Sequence, residues 1–199
     1  VVMDVCRHPK MFDRDKNGPN EGRPTLDRWV IDPSSGKVAT ETISDLGHEF
    51  PRHDERRIGK PIRFGYTGSL GDHLGIGPIY KHDLVKRTTE IHGADPGRMF
   101  LEPVFVPRTP DADEDDGWIM AYVYDAPSNA SEVVILHAQD FTGKPVARIH
   151  LPQAARRGIA RVGEGRLLRV LPLLVHALEG RARQVDFATH PEAARRGLR

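Results

Sequence analysis

A single cysteine, Cys6, stands among 199 residues, which excludes an internal disulfide and fits a reducing compartment, with the cytoplasm as the expected location. Aromatic residues make up 7% of the chain and no basic patch is interleaved with them, so nucleic acid is not an expected partner. The formal net charge of +1 argues neither way. Long hydrophobic runs are missing too. The longest apolar stretch, Leu167 to Leu178, is broken by Arg169, Pro172 and His176 and is too short to span a bilayer. The chain opens Val-Val-Met-Asp, with no charged leader and apolar run, so no signal peptide is expected and the true N-terminus is expected further upstream. Up to Gln153 no segment carries a sustained helical period.

Short runs of apolar alternation are present instead. They fall at 28–31, 38–43, 62–66, 79–81, 88–91, 104–106, 118–124, 133–136 and 146–151, with Gly, Pro, Asp and Ser between them. This is the pattern of many short antiparallel strands. A degenerate turn recurs at Asp32-Pro33-Ser34-Ser35-Gly36-Lys37, at Asp83 to Thr88 and at Asp140-Phe141-Thr142-Gly143-Lys144. Aspartate opens such a turn through its own backbone and glycine closes it where φ is positive, although Arg87 replaces the glycine in the middle copy. The aspartates are spaced 51 and 57 residues apart, close to one four-stranded propeller blade. The fold class expected is all-β, a partial β-propeller.

Two glutamates interrupt this plan. Glu49-Phe50-Pro51-Arg52 and Leu101-Glu102-Pro103-Val104-Phe105-Val106-Pro107-Arg108 both read as strand, and alternation puts Glu102 on the side of Val104 and Val106. An ionised carboxylate on an apolar face is costly without a cation or donors. A strand glutamate most often faces solvent, and that is the plain reading of Glu49, beside His48 and near Arg52 and Asp54.

These stretches, with Pro19-Asn20-Glu21-Gly22, Leu26-Asp27-Arg28-Trp29, Glu114-Asp115-Asp116-Gly117 and Ala138-Gln139-Asp140-Phe141, resemble the carotenoid cleavage oxygenases, the family of apocarotenoid and lignostilbene dioxygenases. The likeness runs from Val1 to Gln153 and corresponds to the C-terminal part of a family member. It implies about three blades of a seven-bladed ring. In the complete enzyme it implies Fe(II) on the propeller axis, bound by four histidines, with glutamates behind the ligand rings. A carboxylate there fixes the tautomer and aim of a ligand imidazole. Glu49 and Glu102 match two of those glutamates, neither touching the metal. Three ligand histidines are expected upstream of Val1, and Ala160 stands at the register of the fourth, so no iron ligand is expected in this chain. His48, His53, His82, His92, His137 and His150 match no ligand position and read as surface or strand residues.

For the complete enzyme the resemblance implies oxidative cleavage of a conjugated double bond in a carotenoid, apocarotenoid or stilbene. The partners are then a hydrophobic polyene or stilbene and dioxygen, with peripheral membrane contact through regions outside this chain. The chain alone is expected to be inactive. A non-catalytic propeller binding module is one alternative. A glycoside hydrolase using Glu49 and Glu102 as a carboxylate pair is another.

Two regions are expected to lack chemistry or order. The acidic run Asp111, Asp113, Glu114, Asp115, Asp116 fails an EF-hand register, because Asp116 stands where glycine is needed and Tyr122 where glutamate is, so a solvated turn is expected. Residues 1–153 form the expected propeller domain, and residues 154–199 a divergent tail. The tail has ten arginines and no lysine, serine, asparagine, tyrosine or tryptophan. It reads either as an irregular or helical arginine-rich extension or as the product of a shifted reading frame. The family follows Leu-Pro-Gln with a stretch ending Gly-Phe-His-Gly, and codons for Ile159-Ala160-Arg161 can read Leu-His-Gly one nucleotide later.

Overall fold

Alternating apolar residues, punctuated by Asp, Pro and Gly, build three successive antiparallel sheets. The computed structural model describes residues 1–14, 16, 21–70, 77–93 and 95–151, together with the backbone of Gln184–Asp186. The first sheet is β1 (Val2–Arg7), β2 (Thr25–Ile31) and β3 (Val38–Ser44), in chain order. The second is β4 (His48–His53), β5 (Phe64–Ser69), β6 (Ile79–Asp83) and β7 (Thr88–His92), also in chain order. In the third, β8 (Arg98–Phe100) and β9 (Val104–Pro107) both pair with β10 (Gly117–Asp125), which is followed by β11 (Ala130–His137) and β12 (Ala147–His150). Serial up-and-down sheets of this kind are propeller blades, and the all-β, partial-propeller expectation holds. Within the tail, β13 (Gln184–Asp186) lies parallel to β12, and the other residues from 152 onward lie outside the described residues.

Two strands escape the alternation reading for a physical reason. In β1, Asp4 sits opposite Arg28 of β2 and accepts from its Nε at 2.8 Å and its Nη2 at 2.9 Å. This cross-strand ion pair does the work that apolar contacts do elsewhere and hides the strand's periodicity. β8 is simply short.

The main core lies between the second and third sheets. Phe64, Tyr66 and Ile79 pack on Phe100, Phe105, Ile119, Val123, Val134, Leu136 and Phe141. Tyr66 stacks on Phe105 with ring centroids 5.9 Å apart and planes at 4°. The opposite face of the third sheet carries a second apolar cluster of Val106, Trp118, Met120, Val133, Ile135, Ala147 and Ile149. Consequently β10 and β11 are buried on both faces over most of their length.

The acidic run is a turn before β10 and Asp111 and Asp113 are exposed as expected, but Glu114, Asp115 and Asp116 are partly buried and paired, which corrects the expectation for those three. Glu114 accepts from the backbone N–H of Arg63 at 2.6 Å and of Phe64 at 2.8 Å, and pairs with Arg57 at 3.2 Å. Asp115 binds buried Lys81 at 3.0 Å, and Asp116 binds Arg108 at 2.8 Å. The entry into β5 presents free amides and β6 presents an ammonium, so Glu114 and Asp115 clasp the second sheet to the third, while Asp116 ties the turn to the end of β9. Close backbone approach fixes Gly117 at the end of this turn, since a Cβ there would lie 2.1 Å from the Val106 carbonyl oxygen.

The first recurring turn follows the expected chemistry and the second does so in part, whereas in the third Gly143 does not take positive φ and its N–H donates to the Asp140 carbonyl at 3.0 Å after the helical turn Ala138–Asp140. Asp32 accepts from Ser34 Oγ at 2.7 Å, Ser35 Oγ at 2.6 Å and Ser34 N at 2.9 Å, bonds that hold its carboxyl down to about 2, and Gly36 closes the turn at φ +67°. Asp83 accepts from Val85 N at 3.1 Å and Lys86 N at 2.9 Å, but Arg87 closes this copy at φ +57°. A side chain in left-handed backbone is strained. The Arg87–Glu41 pair that offsets this is exposed and of small value. Arg87→Gly should therefore raise stability by about 0.5–1 kcal/mol, read as a higher urea midpoint at unchanged m-value.

Candidate functional site around Glu49 and Glu102

β4 is an edge strand of the second sheet, and its two faces carry different chemistry. Strand partners share a face, so His48 (opposite Ser69) and His53 (opposite Gly65) lie with Thr67, while Glu49 (opposite Gly68) and Arg52 (opposite Tyr66) lie on the other side.

On the first face a polar thread runs through five strands, from the end of β3 across β4, β5, β6 and β7. Ser44 Oγ lies 2.8 Å from His48 Nε2, and His48 Nδ1 lies 3.0 Å from Thr67 Oγ1. Thr67 Oγ1 lies 3.0 Å from His82 Nε2, and His82 Nδ1 lies 3.0 Å from Thr89 Oγ1. Each ring nitrogen of both histidines thus meets a hydroxyl, which can donate or accept according to the tautomer, and burial keeps the two rings neutral. His48 and His82 are fully buried, which corrects the expectation of surface residues, although both are in strands as expected. Burial holds His48 down to about 4, against a weak opposing pull from Asp45. Burial, and next the proximity of His48, holds His82 down to about 3.

On the second face Glu49 does not look into solvent. Its Oε1 accepts from His8 Nε2 at 2.5 Å and its Oε2 from the Phe50 N–H at 3.3 Å. The His8 side chain is 6% exposed, and its Nδ1 is buried with no hydrogen-bond partner among the described residues. Sequence reasoning passed over His8. It follows β1, whose alternation is masked by Asp4 and Arg7, so nothing local announces it. Cys6 is close by, and burial, reinforced by the Glu49 charge, pushes its thiol up to about 12, which makes it a poor nucleophile.

Glu102 is placed differently from expectation. It lies in the connection between β8 and β9, its side chain 42% exposed, rather than on an apolar strand face. Pro103 has no N–H for the ladder, which breaks the strand there. Arg52 Nη1 stands 3.4 Å from Glu102 Oε1, so the two motifs meet through a guanidinium. Their backbones converge as well: a Cβ on Gly68 would lie 3.8 Å from the Glu49 carbonyl oxygen and 3.9 Å from that of Leu101. Among the described residues no three His, Cys, Asp or Glu side chains converge as a metal site, and Ala160, His176 and His190 lie outside those residues.

The family model described as retinal pigment epithelial membrane protein matches residues 1–159. The chain belongs to this family, that of the carotenoid oxygenases. It is 39% identical over 166 residues to a carotenoid cleavage oxygenase of Mycobacterium tuberculosis, covering 79% of this chain and 33% of the relative. With the apocarotenoid-15,15'-oxygenase of Synechocystis it shares 35% identity over 141 residues, covering 69% of this chain and 29% of the relative. Lignostilbene-alpha,beta-dioxygenase isozyme III of Sphingomonas paucimobilis is 30% identical over 156 residues, covering 71% of this chain and 32% of the relative. Among solved structures, a Glu150Asp mutant of the Synechocystis apocarotenoid oxygenase superposes with a TM-score of 0.68 at 30% identity, covering 76% of this chain and 34% of that one. A cobalt-substituted form of the Synechocystis enzyme matches equally well, at a TM-score of 0.68, 30% identity and the same coverage of 76% and 34%. The chain spans about a third of the length of the curated relatives it matches.

The neutral thread has a pH consequence. Above the ordinary histidine value of 6.5 both folded and unfolded chains are uncharged at these positions, so stability is fully present. As pH falls through that value the unfolded chain takes up protons that the folded one refuses, and stability drops until about 4 for His48 and about 3 for His82. The loss should be on the order of a few kcal/mol. Urea midpoints between neutral and acid pH will show it, and His82→Gln should flatten the slope.

Proposed function

We propose that this chain is part of a non-haem Fe(II) dioxygenase that cleaves a conjugated carbon–carbon double bond of a carotenoid, apocarotenoid or stilbene. The carrying observation is the carboxylate of Glu49, which lies within the family motif, accepting from an imidazole nitrogen at 2.5 Å. The relatives' names supply the substrate class: carotenoid, apocarotenoid and lignostilbene.

The donor set fits a supporting role toward iron. A histidine ligand uses one ring nitrogen for the metal and donates from the other, and a carboxylate behind it fixes the tautomer and raises ligand basicity. Glu49 is arranged to accept such a ring, as its bond to His8 illustrates. Glu102 is held at the adjoining edge by Arg52, ready to serve a second ring. Iron, when bound by histidines from the complete protein, supplies the open coordination that admits dioxygen. The overall change adds both oxygen atoms across the broken double bond and yields two carbonyl products. Arg52 offsets part of the negative charge of Glu102. Glu49 and Glu102 thus aim and steady rings, and the described residues add no direct metal contact.

Two measurements test this reading. In the complete protein, Glu49→Gln should lower Fe(II) affinity by about 10–100-fold, read by iron content after dialysis. The 199-residue chain alone should hold iron well below one equivalent and leave an apocarotenoid unchanged. Stoichiometric, tightly held iron with turnover by the chain alone would falsify the supporting role.

A further inference from the structure

Both motif glutamates stand where an edge strand loses register, and a proline marks each place. Between the pairs Glu49–Gly68 and Arg52–Tyr66, Phe50 and Pro51 stand opposite Thr67 alone. Between Phe100–Val123 and Val104–Met120, Leu101, Glu102 and Pro103 stand opposite Ala121 and Tyr122. Each is a bulge with one extra residue, a device that bends a strand and re-aims a side chain.

The first bulge is strained. Phe50 has φ +54°, although it carries a side chain and precedes proline, a position normally restricted to extended backbone at negative φ. Two consequences follow in the geometry. The Phe50 N–H turns back to the Glu49 carboxylate at 3.3 Å, leaving the other oxygen on the imidazole. The bulge also resets the strand's phase: residues three apart in a regular strand face opposite ways, yet Glu49 and Arg52 share a face because Gly68 and Tyr66 do. From that face Arg52 reaches Glu102 at 3.4 Å while its Nη2 binds Glu55 at 3.0 Å.

We propose that the Phe50–Pro51 bulge is the positioning device of this site, its left-handed Phe50 backbone aiming Glu49 at a ring and bringing Arg52 across to Glu102. Phe50 is then a positioning residue acting through its backbone and not through its ring. The inference rests on the proposed function only for what the aimed imidazole serves. The bond between Glu49 and His8 needs no metal, so a complete enzyme that bound no iron would overturn the functional reading and leave the bulge intact.

NMR of the full 199-residue chain provides the test. The exchange-protected imidazole N–H donated to Glu49 is assigned by its disappearance in His8→Gln. Phe50→Gly, free to adopt positive φ, should keep this resonance at no cost in thermal midpoint. Phe50→Val, whose β-branch resists that backbone, should lose it while the methyl signals of Ile119 and Val134 persist. An unchanged resonance in Phe50→Val, or its loss in a folded Phe50→Gly, would overturn the proposal. Should Phe50→Val fail to fold, Phe50→Ala decides: survival of the resonance supports a backbone role, and loss in both the Ala and Gly variants shows that the ring does the positioning.

Discussion

A carboxylate packed among strands must be met by donors, and that requirement shapes much of this molecule. Glu114 takes two backbone amides and an arginine, Asp115 takes a buried lysine, and Asp27 takes Arg7 and Thr42. Glu132, nearly buried, takes Arg98 and Arg148. Each arrangement spans two or three elements, so satisfying the charge also fixes how those elements sit. Such pairs contribute little to net stability beyond an apolar equivalent, but removing one partner strands the other. Glu49 belongs to the same set. What distinguishes it is that its principal donor is a neutral-capable ring whose second nitrogen has no partner among the described residues.

The two faces of β4 show how one strand separates chemistries. A hydroxyl–imidazole thread occupies the side toward Ser44 and stays uncharged because burial disfavours any proton added to it. The other side presents Glu49 and Arg52 to the third sheet, where Tyr66 stacks on Phe105 and Glu102 comes within reach. Charge and neutrality are thus kept on opposite sides of one backbone, with the bulge deciding which residues go where.

Much of this was legible in the sequence. The nine alternating runs all became strands, and Asp32 and Asp83 open turns in the expected manner. The motifs of Glu49 and Glu102, picked out from the sequence, meet through Arg52 and over Gly68. What alternation could not supply is phase. A period of two carries no mark of an extra residue, so neither bulge could be placed, and Glu102 was assigned to an apolar face it does not occupy. Long-range partners were equally hidden. His8 and Glu49 are 41 residues apart, and Lys81 and Asp115 are 34 apart, so only the folded arrangement of the sheets brings them together.

The double-sided burial of β10 and β11 bears on how freely this chain can drift. A half-exposed strand such as β3, open along nearly its whole length, offers evolution wide latitude for exchange among polar residues. From Trp118 to Ala121 and from Val133 to Leu136 no neighbouring position offers such latitude, because odd and even side chains alike enter a packed interior. The third sheet is therefore the part of the chain where inherited change should be slowest for reasons of packing alone.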